Sequence, residues 1–152
     1  MNELNVKDRR LPQKQLPAVI REGWALITGG TSGLGLAFAH ALAAQGMNLV
    51  LVARNAERLD STADKLCKEY RIYAETLRAD ISQREGIEEV KARLIQPSNP
   101  VSVLINNAGA GLYASMISRD YSAIREGAQV MGLAPMEIGG CAADAMLERG
   151  AG

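Results

Sequence analysis

Apolar and polar positions along the chain follow two rhythms. "WALIT" (24–28), "NLVLVA" (48–53) and "VSVLIN" (101–106) are short apolar runs bounded by glycine or turn residues. That is the pattern of strands buried on both faces. "IYAETLRA" (72–79) reads as a weaker strand. Between the strands, apolar positions recur at helical spacing. Leu34, Ala37, Phe38, Ala41 and Leu42 predict one face of a helix from Ser32 to Gln45, stopped by Gly46. Leu59, Ala63, Leu66 and Tyr70 predict a second helix, capped by Asn55. Ile87, Val90 and Leu94 predict a third, opened by a capping box in "SQRE" (82–85) through Ser82 and Glu85. Residues 122–152 should also be helical, but Gly127, Gly132, Pro135, Gly139 and Gly140 interrupt them. An interior proline costs about 3 kcal/mol and a glycine about 1 kcal/mol. Broken helical pieces are therefore expected, with "CAADAMLER" (141–149) the better one.

The order β-α-β-α-β-α-β argues for an α/β fold with a parallel sheet. Right-handed crossovers make it doubly wound and Rossmann-like, with helices on both faces. Residues 1–20 form a polar, proline-broken lead-in, and 21–152 form one domain. A length of 152 residues fits a single domain. Apolar content of 47% and charged content of 22% are those of a soluble globular protein. Lys plus Arg and Asp plus Glu balance at 17 each, so no strong field gathers nucleic acid or acidic membrane. Aromatic residues are 4%, which weakens any base-stacking platform. The N-terminus has no continuous apolar core, so neither a signal peptide nor an anchor is expected. No run of about 18 apolar residues occurs, so no transmembrane helix is expected. Cys67 and Cys141 lack metal-ligand spacing and fit a reducing, cytoplasmic setting. The single histidine, His40, excludes a multi-histidine metal site, and it reads as solvated.

The candidate chemistry begins at "TGGTSGLG" (28–35), a glycine-rich turn between strand and helix. The first turn of a helix leaves backbone N–H groups unpaired, and the helix dipole adds about half a positive charge there. A dinucleotide diphosphate satisfies both. The glycines allow a tight turn, close approach of the ligand and tight packing of helix on strand. Walker-type ATP binding is disfavoured, because no Gly-Lys-Ser/Thr follows. An NAD-preferring fold places a carboxylate about 20 residues on, at the end of the second strand. Here that strand ends "VARN", with Arg54 in place of an acid. A guanidinium can pair with a 2′-phosphate, so the reading leans to NADP over NAD.

Three motifs together resemble the short-chain dehydrogenase/reductase family. "TGGTSGLG" matches its Thr-Gly-x-x-x-Gly-x-Gly signature, "RADI" (78–81) its segment after the third strand, and "NNAG" (106–109) its fourth-strand signature. The resemblance runs from about residue 22 to the last residue. It implies that Thr28, Gly29, Gly33 and Gly35 form the phosphate loop, with contacts from Ser32 and Leu34. It implies further that Asp80 and Ile81 flank adenine and that Asn107, Ala108 and Gly109 line the cofactor cleft, while Asn106 supports the sheet. Members of this family move hydride between NAD(P)H and a carbonyl or alcohol. A Tyr, a Lys four residues later, a Ser and often an Asn carry the chemistry. The family's strand order, 3-2-1-4, would leave strand 101–106 at an apolar edge, which invites self-association as a homo-oligomer or aggregate.

The resemblance fails at the catalytic residues. No Tyr-x-x-x-Lys occurs in the 152 residues, and Tyr121 to Arg125 ("YSAIR") lies one element too early. Gln129 in "QVMG" stands where the family has its catalytic Asn. Tyr113, Ser115 and Ser118 fall where a substrate mouth would be bordered, and read as ordinary loop. The resemblance implies that the chain stops before the fifth strand. It is expected to be an NADP-preferring oxidoreductase's cofactor half, for a small carbonyl or secondary-alcohol substrate, without turnover of its own. The alternatives are a non-catalytic NADP-binding module or remnant and, less well supported, an S-adenosylmethionine-dependent methyltransferase, which gives no account of "NNAG".

Overall fold

The computed structural model describes residues 17–109 and 121–152. A short helix α1 (Ala18–Arg21) leads into β1 (Trp24–Thr28), α2 (Gly33–Ala43), β2 (Asn48–Ala53), α3 (Ala56–Tyr70), β3 (Ala74–Arg78), α4 (Arg84–Leu94) and β4 (Val101–Ile105). A helical run then follows: α5 (Ser122–Ala128), a wide π turn (Gln129–Leu133) and α6 (Ala134–Arg149). The four strands are parallel in the order β3-β2-β1-β4. The doubly wound α/β architecture expected from the alternation is the one observed.

The strands are apolar throughout because both faces are covered. Successive side chains on a strand point to opposite faces. Ala25, Ile27, Leu49 and Leu51 pack with Ala39, Leu42, Leu59 and Leu66 of α2 and α3. Leu26, Val50 and Val52 pack with Ile87, Val90, Leu94, Ile138 and Ala142 of α4 and α6. Full burial of each large aliphatic side chain contributes about 1.5–3 kcal/mol. In α3, Asn55 caps as expected, accepting the Arg58 amide at 2.8 Å.

Three local expectations need correcting. The buried face of α2 is Gly35, Ala39, Leu42 and Ala43, whereas Leu34 is 74% exposed and Phe38 is also exposed. The helix packs through its small residues, so its bulky ones point outward. The capping box at Ser82 does not form; α4 starts at Arg84 after Gln83, with no side-chain cap. Asp80 has taken the turn instead, its Oδ1 accepting the Ser82 amide at 3.0 Å. Finally, the glycines and Pro135 do not break the last helix. Pro135 lies in the first turn of α6, directly after the π turn. There its missing N–H costs little. Burial of Ala134, Ile138, Ala142 and Ala145 offsets the weak propensity.

By length and composition the run Ser122–Arg149 could cross a membrane, with a mean hydropathy of 1.2 over 18 residues. It contains no continuous run of about 18 apolar residues. The same composition serves a helix laid on a sheet, and α6 packs on α4 and β4.

The edge strand β3 is tied down by a buried cation. Arg93 of α4 is 6% exposed. Its Nε donates to both carboxylate oxygens of Glu75 in β3, at 2.9 and 3.1 Å, and its Nη2 donates to the Asn99 carbonyl at 3.1 Å. Its guanidinium lies 5.5 Å from the Trp24 ring centroid. Removing one partner of such a pair strands the other. Arg93→Met should therefore lose about 1–3 kcal/mol in urea unfolding, Glu75 being only partly buried. A loss below about 0.5 kcal/mol would show the pair to be idle.

Candidate functional site

β1 and β4 are neighbours, and α2 and α6 pack on opposite faces of the sheet. A crevice opens at the carboxyl ends of the strands, the usual ligand position in open α/β sheets. The crevice here has a volume of about 410 Å³.

Hydrogen bonds between the two strand ends hold it open. Thr28 is 1% exposed. Its Oγ1 accepts the amides of Asn107 and Ala108 at 3.0 and 3.1 Å, and donates to the Ile105 carbonyl at 3.4 Å. The Asn107 amide group donates back to the carbonyls of Thr28 and Gly29, at 3.0 and 3.3 Å. Thr28 and Asn107 thus line the cleft while spending their polar atoms on each other's backbone. Asn106 supports the fold differently, its Nδ2 donating to the Pro135 carbonyl at 3.2 Å.

The glycine turn serves the same packing. Gly29 has φ +69°, and a Cβ there would come within 2.9 Å of Asn107 Nδ2. A Cβ on Gly35 would run into the Gly29 carbonyl and Asn107 Nδ2. Only glycine lets α2 come this close. Ser32 precedes the helix in extended backbone, makes no capping bond, and the first turn holds no acidic residue. The first-turn amides of α2 are therefore left for an external anion.

Of the residues singled out by sequence, Thr28, Gly29, Ser32, Arg54, Asp80, Ile81, Asn107, Ala108 and Gly109 all line this cleft. Gly33, Leu34 and Gly35 do not: they form the first turn of α2. Leu34's side chain points to solvent, so only its backbone can serve an anion. Gln129 opens the π turn and is half-buried, but its neighbour Val130 lines the cleft instead. Tyr113, Ser115 and Ser118 lie outside the described residues.

Sequence reasoning missed Thr31, Asn55, Arg58, Glu126 and Val130, which also line the cleft. Arg58 follows Arg54 by four residues, and the cap at Asn55 turns the first coil of α3 back over the strand end. Glu126 and Val130 are four apart, a spacing that puts them on one helix face. Reading 122–133 as continuous helix would have paired them. Arg54 Nη1 lies 3.5 Å from Glu126 Oε1, with side-chain exposures of 70% and 49%.

Other chemistry-bearing groups are engaged elsewhere. His40 is not simply solvated: its Nδ1 hydrogen-bonds the Tyr70 hydroxyl at 3.0 Å, with the rings edge to face. The Glu69 carboxylate, mainly by hydrogen bonding, pushes the Tyr70 phenol above its usual range, away from proton exchange near neutral pH. Burial pushes the Cys141 thiol up, and its Sγ donates to the Lys91 carbonyl at 3.8 Å, so it is no activated nucleophile. Among the described residues no group of three or more His, Cys, Asp or Glu could hold a metal ion.

The chain is similar to known proteins over most of its length. The short chain dehydrogenase family model matches residues 23–152. A very-long-chain 3-oxoacyl-CoA reductase of Phaeosphaeria nodorum is 41% identical over 102 residues, 65% of this chain and 30% of that protein. Among solved structures, the bulky-bulky ketone specific alcohol dehydrogenase of Comamonas testosteroni superposes with a TM-score of 0.81 at 32% identity, over 87% of this chain and 52% of that one. A short-chain dehydrogenase of Sphingobium yanoikuyae in complex with NADPH gives 0.80 at 31% identity, over 86% and 51%. The chain spans less than a third of that curated relative and about half of these solved ones.

The Thr28 hydroxyl can be tested by itself. Thr28→Val keeps the shape and leaves two buried amides without an acceptor, which should cost about 1–3 kcal/mol in chemical unfolding. Thr28→Ser should recover most of it. Equal stability of the Val and Ser variants would show that the hydroxyl does not hold the strand ends together.

Proposed function

We infer that this chain, which belongs to the short-chain dehydrogenase family, binds NADP(H) in the cleft and forms the cofactor-holding part of an oxidoreductase acting on a carbonyl or secondary alcohol. One observation carries the reading. A cleft opening on an uncapped helix N-terminus has Arg54 at the end of β2 and Arg58 in the first turn of α3, with no carboxylate on that strand end. The residues present fit the cofactor. The first-turn amides of α2 take the diphosphate. Arg54 and Arg58 take the 2′-phosphate. Asp80, Ile81 and Val130 border the adenine, and Ala108 and Gly109 face the rest of the cofactor. NADP(H) would supply the hydride or accept it. The similarity to an NADPH complex and to a ketone-specific alcohol dehydrogenase supports cofactor and substrate class alike.

A second reading, a cofactor-binding module without turnover, is favoured by one fact. The 152 residues carry no Tyr-x-x-x-Lys, and Gln129 holds the place of the family's Asn. NADPH fluorescence titration and nicotinamide absorbance with a panel of bulky ketones and 3-oxoacyl-CoA thioesters separate the readings. NADPH binding supports the cofactor-holding role common to both readings, turnover by these 152 residues overturns the module, and no binding overturns both. Replacing both Arg54 and Arg58 by Met should weaken NADPH at least tenfold, while NADH changes less than about twofold. Each lost charged hydrogen bond is worth about 1.5–3 kcal/mol.

We also propose that the chain self-associates. The outer edge of β4 has no strand partner among the described residues, although Arg149 Nη2 donates to the Val101 carbonyl at 2.6 Å. Size-exclusion chromatography should show species larger than 16.3 kDa. A stable monomer over a range of concentrations contradicts this.

A further inference from the structure

We propose that Glu126 is a specificity-determining residue that competes with the cofactor's 2′-phosphate for Arg54. The inference rests on the NADP(H) reading above and goes beyond it to a residue on a different element.

Arg54 and Glu126 come from distant parts of the chain, the end of β2 and helix α5, and meet across the cleft at 3.5 Å. Both line that cleft. The contact is no accident of a long side chain, because Val130, one turn on from Glu126, lines the cleft too. α5 therefore presents this face to the space the adenosine end would fill. A carboxylate oxygen beside a guanidinium offers the chemistry of a phosphate oxygen. The two anions cannot both have Arg54 without mutual repulsion. An incoming 2′-phosphate has to displace Glu126 or share the cleft with it.

Magnitudes make this a tuning device and not a block. The pair is mostly exposed, and exposed ion pairs shift an equilibrium by less than about fivefold. A phosphate monoester carries about −1.5 to −2 charge against the carboxylate's single charge, so the phosphate wins. Arg58 lines the same cleft, and its guanidinium has no partner among the described residues. It can hold the phosphate while Arg54 changes partners. Nucleotides without the 2′-phosphate do not contend for Arg54, and Glu126 leaves their affinity alone.

The test measures NADPH, 2′,5′-ADP, NADH and 5′-AMP binding to the full chain. Glu126→Gln should tighten NADPH and 2′,5′-ADP by about three- to fivefold and leave NADH and 5′-AMP within about twofold. Glu126→Ala, which removes the charge with a different shape, should give the same gain. In an Arg54→Met background the gain from Glu126→Gln should fall by more than half, because the competition runs through Arg54. Equal tightening of all four nucleotides, or no change in any, overturns the proposal while normal NADPH binding leaves the parent reading standing. Failure of the unmutated chain to bind either 2′-phosphate nucleotide overturns the parent reading and the proposal with it.

Discussion

The exchange of hydrogen bonds between Thr28 and Asn107 is the constraint on which the rest of the site depends. Parallel strands β1 and β4 pair along their length, but pairing alone does not fix how the two chains leave the sheet. Thr28 accepts two amides of the β4 exit, and Asn107 donates to two carbonyls of the β1 exit. The two exits are locked together at a buried point, and the crevice opens directly above it. A neutral donor and acceptor set suits this place. It satisfies the buried backbone without putting a fixed charge under an anion site.

That lock also sets the position of α2. Asn107 Nδ2 occupies the space beside Gly35, so the helix must approach without a side chain. Once Gly35 is seated, helical spacing carries Ala39, Leu42 and Ala43 onto the sheet and leaves Leu34 and Phe38 outside. Tight packing by small residues thereby outranks burial of two bulky ones. The gain is a helix N-terminus held rigidly at the cleft, where its dipole acts over a short distance.

What could be read from the sequence follows from range. The strands β1, β2 and β4 were legible because continuous apolar runs of five or six residues have few other uses. The cleft residues at strand ends were legible because motif spacing and strand boundaries coincide there. The inward face of α2 was not, since hydrophobic periodicity weights Leu34 and Phe38 and ignores Gly35. The start of α4 was misjudged because Asp80, two residues upstream of Ser82, competes for the same turn. A Cβ at Gly86 would run into the Asp80 carbonyl, so close packing fixes that turn as well. The last helix was underestimated because propensity is local, while burial against α4 and β4 is not. Arg58 and Glu126 belong to the cleft through contacts that no local pattern reveals.

The cleft divides its work in a way that bears on how such a domain can vary. At the helix end, the proposed recognition is by backbone amides, which no substitution can retune without moving the helix. At the β2 end the proposed recognition is by side chains, Arg54 and Arg58, with Glu126 opposite, all three exposed. On the proposed NADP(H) reading, cofactor affinity would be anchored where the fold is rigid, and discrimination between cofactors would sit where single substitutions cost little stability. The segment after β4 reaches the β2 end through Glu126 and Val130, and Gln129 and the π turn lie beside them. A π turn widens the helix at one point and re-aims the residues around it, a device found often beside functional sites. Here Val130 lines the cleft and Gln129 does not, so the amide in the family's Asn place is kept out of the cleft by backbone geometry as well as by side-chain length.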